Sequence, residues 1–263
     1  MSTIVKILGF AGSGVVDDIQ VLMTSGNFAS DQSVSYMNML DVPPPYSDNA
    51  SRSKVAFADG TINIAGNIGF DVTDEFMAKL STDAFLSRGY QFDIGINDGI
   101  DAYVLENCYY NSLSLTGSPG GLIGCSISAV SNQRWDTGTV LDDFIRDDVP
   151  LGYWYSGNVD VRDWTLNISQ EVTPIFCNND LLYPKYFRIG LWSINLEVVT
   201  YEQLREHDEV SISTKTFKIT GNSIADGYSF NGQTDLGMYN HTFESGTVLG
   251  SGLSSAIDII TIT

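Results

Sequence analysis

Residues able to do acid–base or nucleophilic chemistry are few in this chain. It contains two histidines, His207 and His241. His207 lies in the charged run Arg-Glu-His-Asp-Glu, which is typical of a solvated helix end, and His241 lies in a strand-like run. A histidine base also needs a nucleophile and a group that orients it, and the chain has no Gly-x-Ser-x-Gly elbow. The sequence therefore predicts no catalytic residue and no enzyme activity.

Two further patterns match a ligand site only in part. Gly9, Gly12 and Gly14 have the spacing of a phosphate-binding loop, but neither Lys-Ser/Thr nor the helix of a βαβ unit follows them. The segment that starts at Asp93 begins like a calcium loop, but its twelfth residue is Val104 where an EF-hand has Glu. The cysteine and histidine spacings fit no zinc site. We therefore predict no cofactor and no metal.

The charge balance is strongly acidic, with 32 Asp and Glu against 13 Lys and Arg and a net charge of −19. A conventional nucleic-acid binder needs cations that replace phosphate counterions, and a polybasic membrane-surface protein needs them as well, so the composition excludes both. The adjacent acids Asp142–Asp143 and Asp147–Asp148 have the residue type for acid–base work in a sugar cleft. Such pairs are more often surface charge, which maintains solubility; charge that lines a lumen is the alternative.

Length and composition predict a β-rich subunit. The 263 residues suffice for one large β domain or two smaller ones. Only 17% of the residues are charged while 43% are hydrophobic, which favours a subunit that buries surface against its own copies. The three cysteines, Cys108, Cys125 and Cys177, fit buried free thiols better than a disulfide framework. No apolar run reaches the ~18 residues of a membrane span, and the N-terminus lacks a signal-peptide pattern, so synthesis in the cytoplasm is predicted.

The clearest structural element is a hairpin from Cys108 to Ser131. Apolar residues alternate with serines through it, which predicts strands with one buried face. Ser118-Pro-Gly-Gly121 is the predicted turn. The residues that define this candidate structural hairpin are Asn111, Leu113, Leu115, Gly120, Gly121 and Ile123.

Other patterns indicate strands and short helices. A second hairpin is predicted around Asn97-Asp98-Gly99, a strand over Val15–Met23, and one or two strands over Val55–Val72. Thr73 is predicted to cap a helix over residues 74–86, because apolar residues recur there at three- and four-residue spacing. Short helices are predicted at Leu141–Arg146 and after Thr200. Further strand-like runs are Val159–Ser169, Phe187–Val199, Glu209–Thr220, Tyr239–Thr247 and Ala256–Thr263.

Turn residues near position 150 divide the chain. Pro150 and Gly152 interrupt the pattern, so we predict a first unit over residues 1–150, with an N-terminal arm, and a second unit, or second half of one fold, over 151–263. Thr61-Ile-Asn-Ile64 is similar to Thr165-Leu-Asn-Ile168, which suggests a duplication. Chance similarity is the alternative.

The segment 41–54 is the clearest loop. Three consecutive prolines, Pro43, Pro44 and Pro45, followed by Tyr46, hold it extended. We predict that it contacts a neighbouring subunit; an ordinary surface loop is the alternative.

The hairpin resembles a hairpin of bacteriophage tail tube proteins, through Asn111–Leu115, Gly120–Ile123 and Ser126–Ser128. Upstream, Gly60–Thr73 resembles that family's first long strand, which leads into a short helix. Val161–Ser169 and the segment from Tyr186 to Val198 resemble further tube strands. The resemblance covers about half of the chain in separate pieces, as a pattern of strands and turns.

The resemblance implies a mainly β fold, an antiparallel β-sandwich or β-barrel-forming tail-tube-like fold with one or two short helices, and duplicated if the internal similarity is real. It implies a structural protein of a virion, assembled in the host cytoplasm. Its subunits would self-associate edge to edge into hexameric rings, or trimeric pseudo-hexameric rings if duplicated. Stacked rings would form a channel through which DNA passes without specific binding, its carboxylates repelling phosphates. Other tail proteins would be partners, and a membrane would not.

A β-sandwich module for carbohydrate binding or host adhesion is the alternative function. Its stacking surfaces would come from the four tryptophans, Trp135, Trp154, Trp164 and Trp192. Trp164 and Trp192 lie inside alternating strands, where the pattern predicts core positions, which weakens this alternative.

Overall fold

A computed structural model describes residues 12–38, 55–81, 89–97, 101–137, 160–177, 182–201, 209–213, 218–222, 225–229, 238–248 and 260–262. These ranges form strands almost throughout, with one helix among them. The predicted mainly β antiparallel fold is confirmed.

The elements follow one another in chain order as β1 (Gly12–Val16), β2 (Ile19–Asn38), β3 (Val55–Asp71), α1 (Asp74–Ser81), β4 (Phe92–Asn97), β5 (Ala102–Gly117), β6 (Gly124–Ser131), β7 (Asp136–Thr137), β8 (Val161–Ile175), β9 (Tyr186–Thr200), β10 (Glu209–Ser213), β11 (Lys218–Asn222), β12 (Ala225–Ser229), β13 (Met238–Val248) and β14 (Ile260–Ile262).

The first six strands form a closed antiparallel barrel. The order around it is β5-β4-β1-β2-β3-β6, and pairing of β6 with β5 closes the circle. Closure satisfies the backbone donors and acceptors that an open sheet would leave at its edges. Separately, β10, β11 and β14 form a three-stranded sheet.

Strand β5 belongs to two sheets at once. Its first half, Ala102–Cys108, pairs with β4, whereas its second half, Ser112–Gly117, pairs with β8. Because β6 occupies the other edge of that second half, β8 must continue the sheet from the edge that β4 has left. A broad sheet therefore runs β2-β3-β6-β5-β8-β9-β13-β12. It joins strands from both sides of residue 150; the division into units 1–150 and 151–263 stays a prediction.

The broad sheet has one apolar face that forms the core. Leu113, Leu115 and Ile127 have no exposed surface, and Leu166 and Ile168 of β8 continue the same buried layer. Intervening residues such as Ser112 and Ser126 are exposed. The period-two alternation predicted for the hairpin is thus present across several strands.

The hairpin turn lies where the sequence predicts it. The amide of Gly121 donates to the carbonyl of Ser118 at 3.0 Å. Gly120 has a φ of 75°, a conformation that side chains other than glycine rarely adopt.

Helix α1 closes one part of the core. The amide of Phe76 donates to Oγ1 of Thr73 at 3.3 Å, so Thr73 is the N-cap, as predicted. Phe76, Met77 and Leu80 are almost fully buried, and the Phe76 ring meets Phe70 edge-on with centroids 4.8 Å apart. The predicted helix over 74–86 is described as far as Ser81.

Replacing Thr73 with alanine removes this cap and should lower the free energy of unfolding by about 1 kcal/mol. Urea titration followed by far-UV circular dichroism measures the change. Thr73→Ser keeps the hydroxyl and should keep most of the stability; equal losses in both variants would contradict a capping role.

Two sequence predictions were wrong in detail. The single strand over Val15–Met23 is instead two strands, β1 and β2, joined at Asp17 and Asp18 with φ values of 52° and 67°. Consecutive left-handed residues make a tight hairpin turn, and Asp-Asp signals it more weakly than Asn-Gly does. The run Glu209–Thr220 is two paired strands, β10 and β11, and β12 was not predicted.

Candidate assembly and channel surfaces

The exposed face of the broad sheet carries aligned rows of small polar residues. Strand register places residues of successive strands directly opposite one another, so each row crosses the strands at right angles, with about 4.8 Å from strand to strand. Row one is Asn27, Asn67, Ser128, Ser112, Ser169 and Ser193. Row two is Ser25, Gly69, Ser126, Ser114, Asn167, Asn195 and Glu244. Row three is Asp71, Gly124, Thr116, Thr165, Glu197 and Thr242.

These three rows define the polar face. Only Asp71, Glu197 and Glu244 are acidic among its positions, and none is Lys or Arg. Neighbouring hydroxyls meet where the strands bring them together, for example Ser169 Oγ and Ser193 Oγ at 3.0 Å. Burial raises the pKa of the Asp71 carboxyl above its ordinary value. The polar face is therefore a hydroxyl and amide surface with little charge, although the whole chain is strongly acidic.

The distal part of β2 is an open edge. Strand β1 pairs with β2 only as far as Met23, while β3 pairs with β2 from Leu22 to Asn38. From Thr24 onward, no strand among the described residues pairs with the other edge of β2. We call this stretch, Thr24–Asn38, the β2 edge.

A second open edge lies at the other end of the broad sheet. Strand β12 pairs with Met238–Thr242 of β13, and within the described ranges no strand covers its outer side. Residues 243–248 of β13 extend beyond β12 while still pairing with β9. We call β12 and this part of β13 the β12/β13 edge.

The edge of β3, in contrast, is partly covered. Beyond the end of β6, the amide of Ile62 donates to the carbonyl of Leu182 at 2.6 Å. Tyr183, next in the chain, packs against the core. The segment before β9 thus blocks that edge, which leaves the β2 edge as the longer of the two open edges described here.

A polar cluster fixes the β1–β2 turn to α1. The Lys79 ammonium forms a salt bridge with the Asp17 carboxylate and also donates to the Asp17 carbonyl at 2.7 Å. Tyr90 donates its hydroxyl to Asp17 Oδ2 at 2.7 Å. Because Asp17 has a left-handed backbone, three contacts from two other elements stabilise a turn that costs backbone strain.

This cluster gives stability a dependence on alkaline pH. Burial first, then the hydrogen bond to Asp17, raises the pKa of Tyr90 to about 12, against about 10 in an unfolded chain. The neutral phenol is thus favoured by folding, so its contribution is complete below pH ~10 and is lost as the pH rises towards 12. Wild-type protein should lose more stability than Tyr90→Phe between pH 9 and about 11.5, as measured by urea titration. Parallel curves for both proteins would contradict this.

Predicted site residues fall in several places. Asn111 lies at an irregularity of the β5–β6 ladder, between Tyr110 and Ser112, and its Oδ1 is buried without a hydrogen-bond partner in the structure. Leu113 and Leu115 of β5 and Ile123 before β6 are fully buried, and Gly120 and Gly121 form the turn. Their use in assembly stays a prediction. Pro43, Pro44, Pro45 and Tyr46 lie outside the described residues, as do His207, the two acid pairs and the helix predicted at Leu141–Arg146.

The tryptophans described with their side chains are not open stacking platforms. Trp164 is 2% exposed, in agreement with its predicted core position. Trp135 is half-buried, with the Arg134 guanidinium 5.2 Å from its ring centroid and the Phe28 ring 6.1 Å away. Neither indole offers the bare face that a sugar ring needs.

The cysteines are free thiols. Cys108 and Cys125 are buried, and burial raises the pKa of both thiols, with nearby Asp93 adding to the effect at Cys108. Within the described residues, no group of three or more His, Cys, Asp and Glu could hold a metal ion. No helix in those ranges is long and apolar enough to cross a membrane.

Neither a family model nor a curated protein matches this chain. The polar face and the two open edges are therefore the features of this protein that bear on its function.

The polar face was not predicted from the sequence, although the alternation of polar and apolar residues along its individual strands is visible there. Ser112, Ser114 and Thr116 alternate with leucines, and Thr165, Asn167 and Ser169 do the same on β8. Alternation predicts that each set lies on one side of its own strand. It does not predict that the two sets become neighbours, because this depends on β5 pairing with β8 across more than forty intervening residues.

Proposed function

We propose that this protein is a structural subunit of a bacteriophage tail tube, in which copies associate through their sheets into stacked rings around a channel for DNA. The observation that carries the proposal is the polar face, which extends from β2 at one open edge to β13 next to the other. With such a face, the broad sheet can contact water on one side while its other side packs against the core.

The chemistry of the polar face supports passage of DNA more than binding. DNA-binding surfaces neutralise phosphates with Lys and Arg and release counterions, and the polar face has neither residue. Hydroxyl and amide groups exchange hydrogen bonds with water at little net cost. The acidic positions Asp71, Glu197 and Glu244 add repulsion, so duplex DNA should slide along such a wall without a strong contact.

A carbohydrate-binding or host-adhesion module has less support. That alternative relied on tryptophan stacking, and Trp164 is buried while Trp135 is covered by Arg134 and Phe28. No specific contact in the described residues favours a sugar site.

Negative-stain electron microscopy of the purified protein over a range of concentrations tests the proposal, with sedimentation velocity on the same samples. We expect rings or tubes with a central hole, in amounts that rise with concentration. A protein that remains monomeric at every concentration, in the presence and absence of a crowding agent, would overturn it.

A further inference from the structure

We propose that the β2 edge of one copy pairs with the β12/β13 edge of the next copy, so that the polar face continues unbroken from subunit to subunit. This inference rests on the proposed function and names the surfaces through which the ring would form. The partner is a second copy of this chain.

The β2 edge lacks the features by which proteins protect an open strand. Natural edges carry lysines, prolines or inward-pointing charges, or are short. Thr24–Asn38 contains neither Lys nor Pro and has one charged residue, Asp31. At about 3.3 Å per residue it offers roughly 50 Å of backbone with which no described strand pairs. Such an edge is expected to pair with another strand.

The ribbon formed by β2 and β3 also needs support. The broad sheet holds β3 through β6 only from Ile64 to Asp71, while β2 and β3 continue as a pair to Asn38 and Val55. A two-stranded ribbon is marginally stable in water, and a third strand gives it independent stability. A strand of a neighbouring copy at the β2 edge would provide that support.

The direction of the polar rows selects the partner edge. All three rows cross from β3 to β8 and on to β9, two of them beginning on β2, and rows two and three extend to β13. Joining the β2 edge to the β12/β13 edge puts polar positions next to polar positions on the same side. Two different edges in contact make a head-to-tail interface, which generates a closed ring when the rotation closes. Pairing of β2 with β2 of a second copy would make a twofold dimer and end growth there.

Cysteine crosslinking distinguishes these arrangements. In a Cys177→Ser background, the remaining cysteines, Cys108 and Cys125, are buried. Ser25→Cys places an exposed thiol in row two on the β2 edge, and Glu244→Cys places a thiol at the other end of the same row, on the part of β13 that extends beyond β12. The double variant, treated with a short bismaleimide at an assembling concentration, should give a ladder of crosslinked species that ends at the ring number.

Matched variants control for crosslinking by random collision. Ser112→Cys with Glu244→Cys has an exposed thiol on the same face, but on β5, three strands in from the β2 edge. It should give no ladder. The single variant Ser25→Cys should stay uncrosslinked; if instead it gives a dimer as its main product, β2 pairs with β2 and the proposed joint is wrong.

The outcome separates this inference from the proposed function. Rings seen by microscopy without a ladder in the double variant would overturn the joint and leave the tube subunit standing. A ladder that never closes, together with filaments or sheets lacking a central hole, would support the joint and overturn the tube. Rings together with a ladder that ends at the ring number would support both.

Discussion

Replacing Trp164 with alanine is expected to lower the free energy of unfolding by about 3–5 kcal/mol. The side chain is 2% exposed and belongs to the core cluster of the broad sheet. It lies against Gly117 so closely that a Cβ built on that glycine would be 2.5 Å from Trp164 Nε1. Loss of the indole would leave a cavity between β5 and β8 where the barrel joins the rest of the sheet. Urea titration monitored by far-UV circular dichroism measures the loss.

Thr165→Ala is the matched control, because Thr165 is the next residue of β8 and lies on the polar face. It should change the free energy of unfolding by no more than about 0.5 kcal/mol, as surface substitutions usually do. A Trp164→Ala protein of unchanged stability that lost affinity for glycans would contradict the core assignment and revive the adhesion module. The pair of variants thus tests the structural role of a tryptophan against a binding role.

Local sequence signals account for much of the fold. Alternation identified the strands of the hairpin, the Asn97-Asp98-Gly99 signal correctly predicted that β4 and β5 pair as a hairpin, and Thr73 identified the start of α1. Each of these signals acts between residues close in sequence, where turn chemistry and side-chain period decide the conformation. The resemblance to tail tube proteins also correctly implied a mainly β fold with a barrel.

Features that depend on tertiary contacts could not be predicted from local sequence signals. The turn at Asp17 and Asp18 is stabilised by Lys79 and Tyr90, which are distant in sequence. Without those partners, Val15–Met23 looks like one strand with an acidic interruption. The division of β5 between β4 and β8 is a second example, since nothing in residues 102–117 marks where one partner strand ends and the other begins.

The polar face likewise depends partly on local sequence and partly on pairing between strands that are distant in the chain. Serine and threonine at alternate positions predict a polar side for each strand, but the number of strands that share this side depends on long-range pairing. The resemblance to tail tube proteins implied a channel lined by carboxylates, which stays a prediction. Register places hydroxyl and amide residues at most positions of the polar face, while acids such as Asp93, Asp101 and Glu106 lie outside its rows.

If the polar face lines a channel as proposed, placing lysines on it is expected to make it retain DNA. Ser126→Lys, Thr116→Lys and Ser193→Lys together add three cations at exposed positions of β6, β5 and β9. No two are directly opposite in the ladder, which limits repulsion between them. The wild-type protein should bind a fluorescently labelled duplex weakly even at low salt, whereas the triple variant should bind it measurably by fluorescence anisotropy.

Salt dependence is the sharper readout, because it reports phosphate contacts directly. If all three lysines reach phosphates, the logarithm of the binding constant should fall with the logarithm of salt concentration with a slope of about −2.7, so binding should weaken roughly 40-fold between 50 and 200 mM salt. A control variant, Ala78→Lys with Ser118→Lys and Leu122→Lys, adds the same charge at exposed positions of α1 and of the β5–β6 turn. Since net charge is equal in the two variants, stronger binding by the first would come from the position of the cations. Equal binding by both variants would mean that cations on the polar face bind DNA no better than cations elsewhere on the surface. Tight binding of the duplex by the wild-type protein would contradict the proposed channel wall.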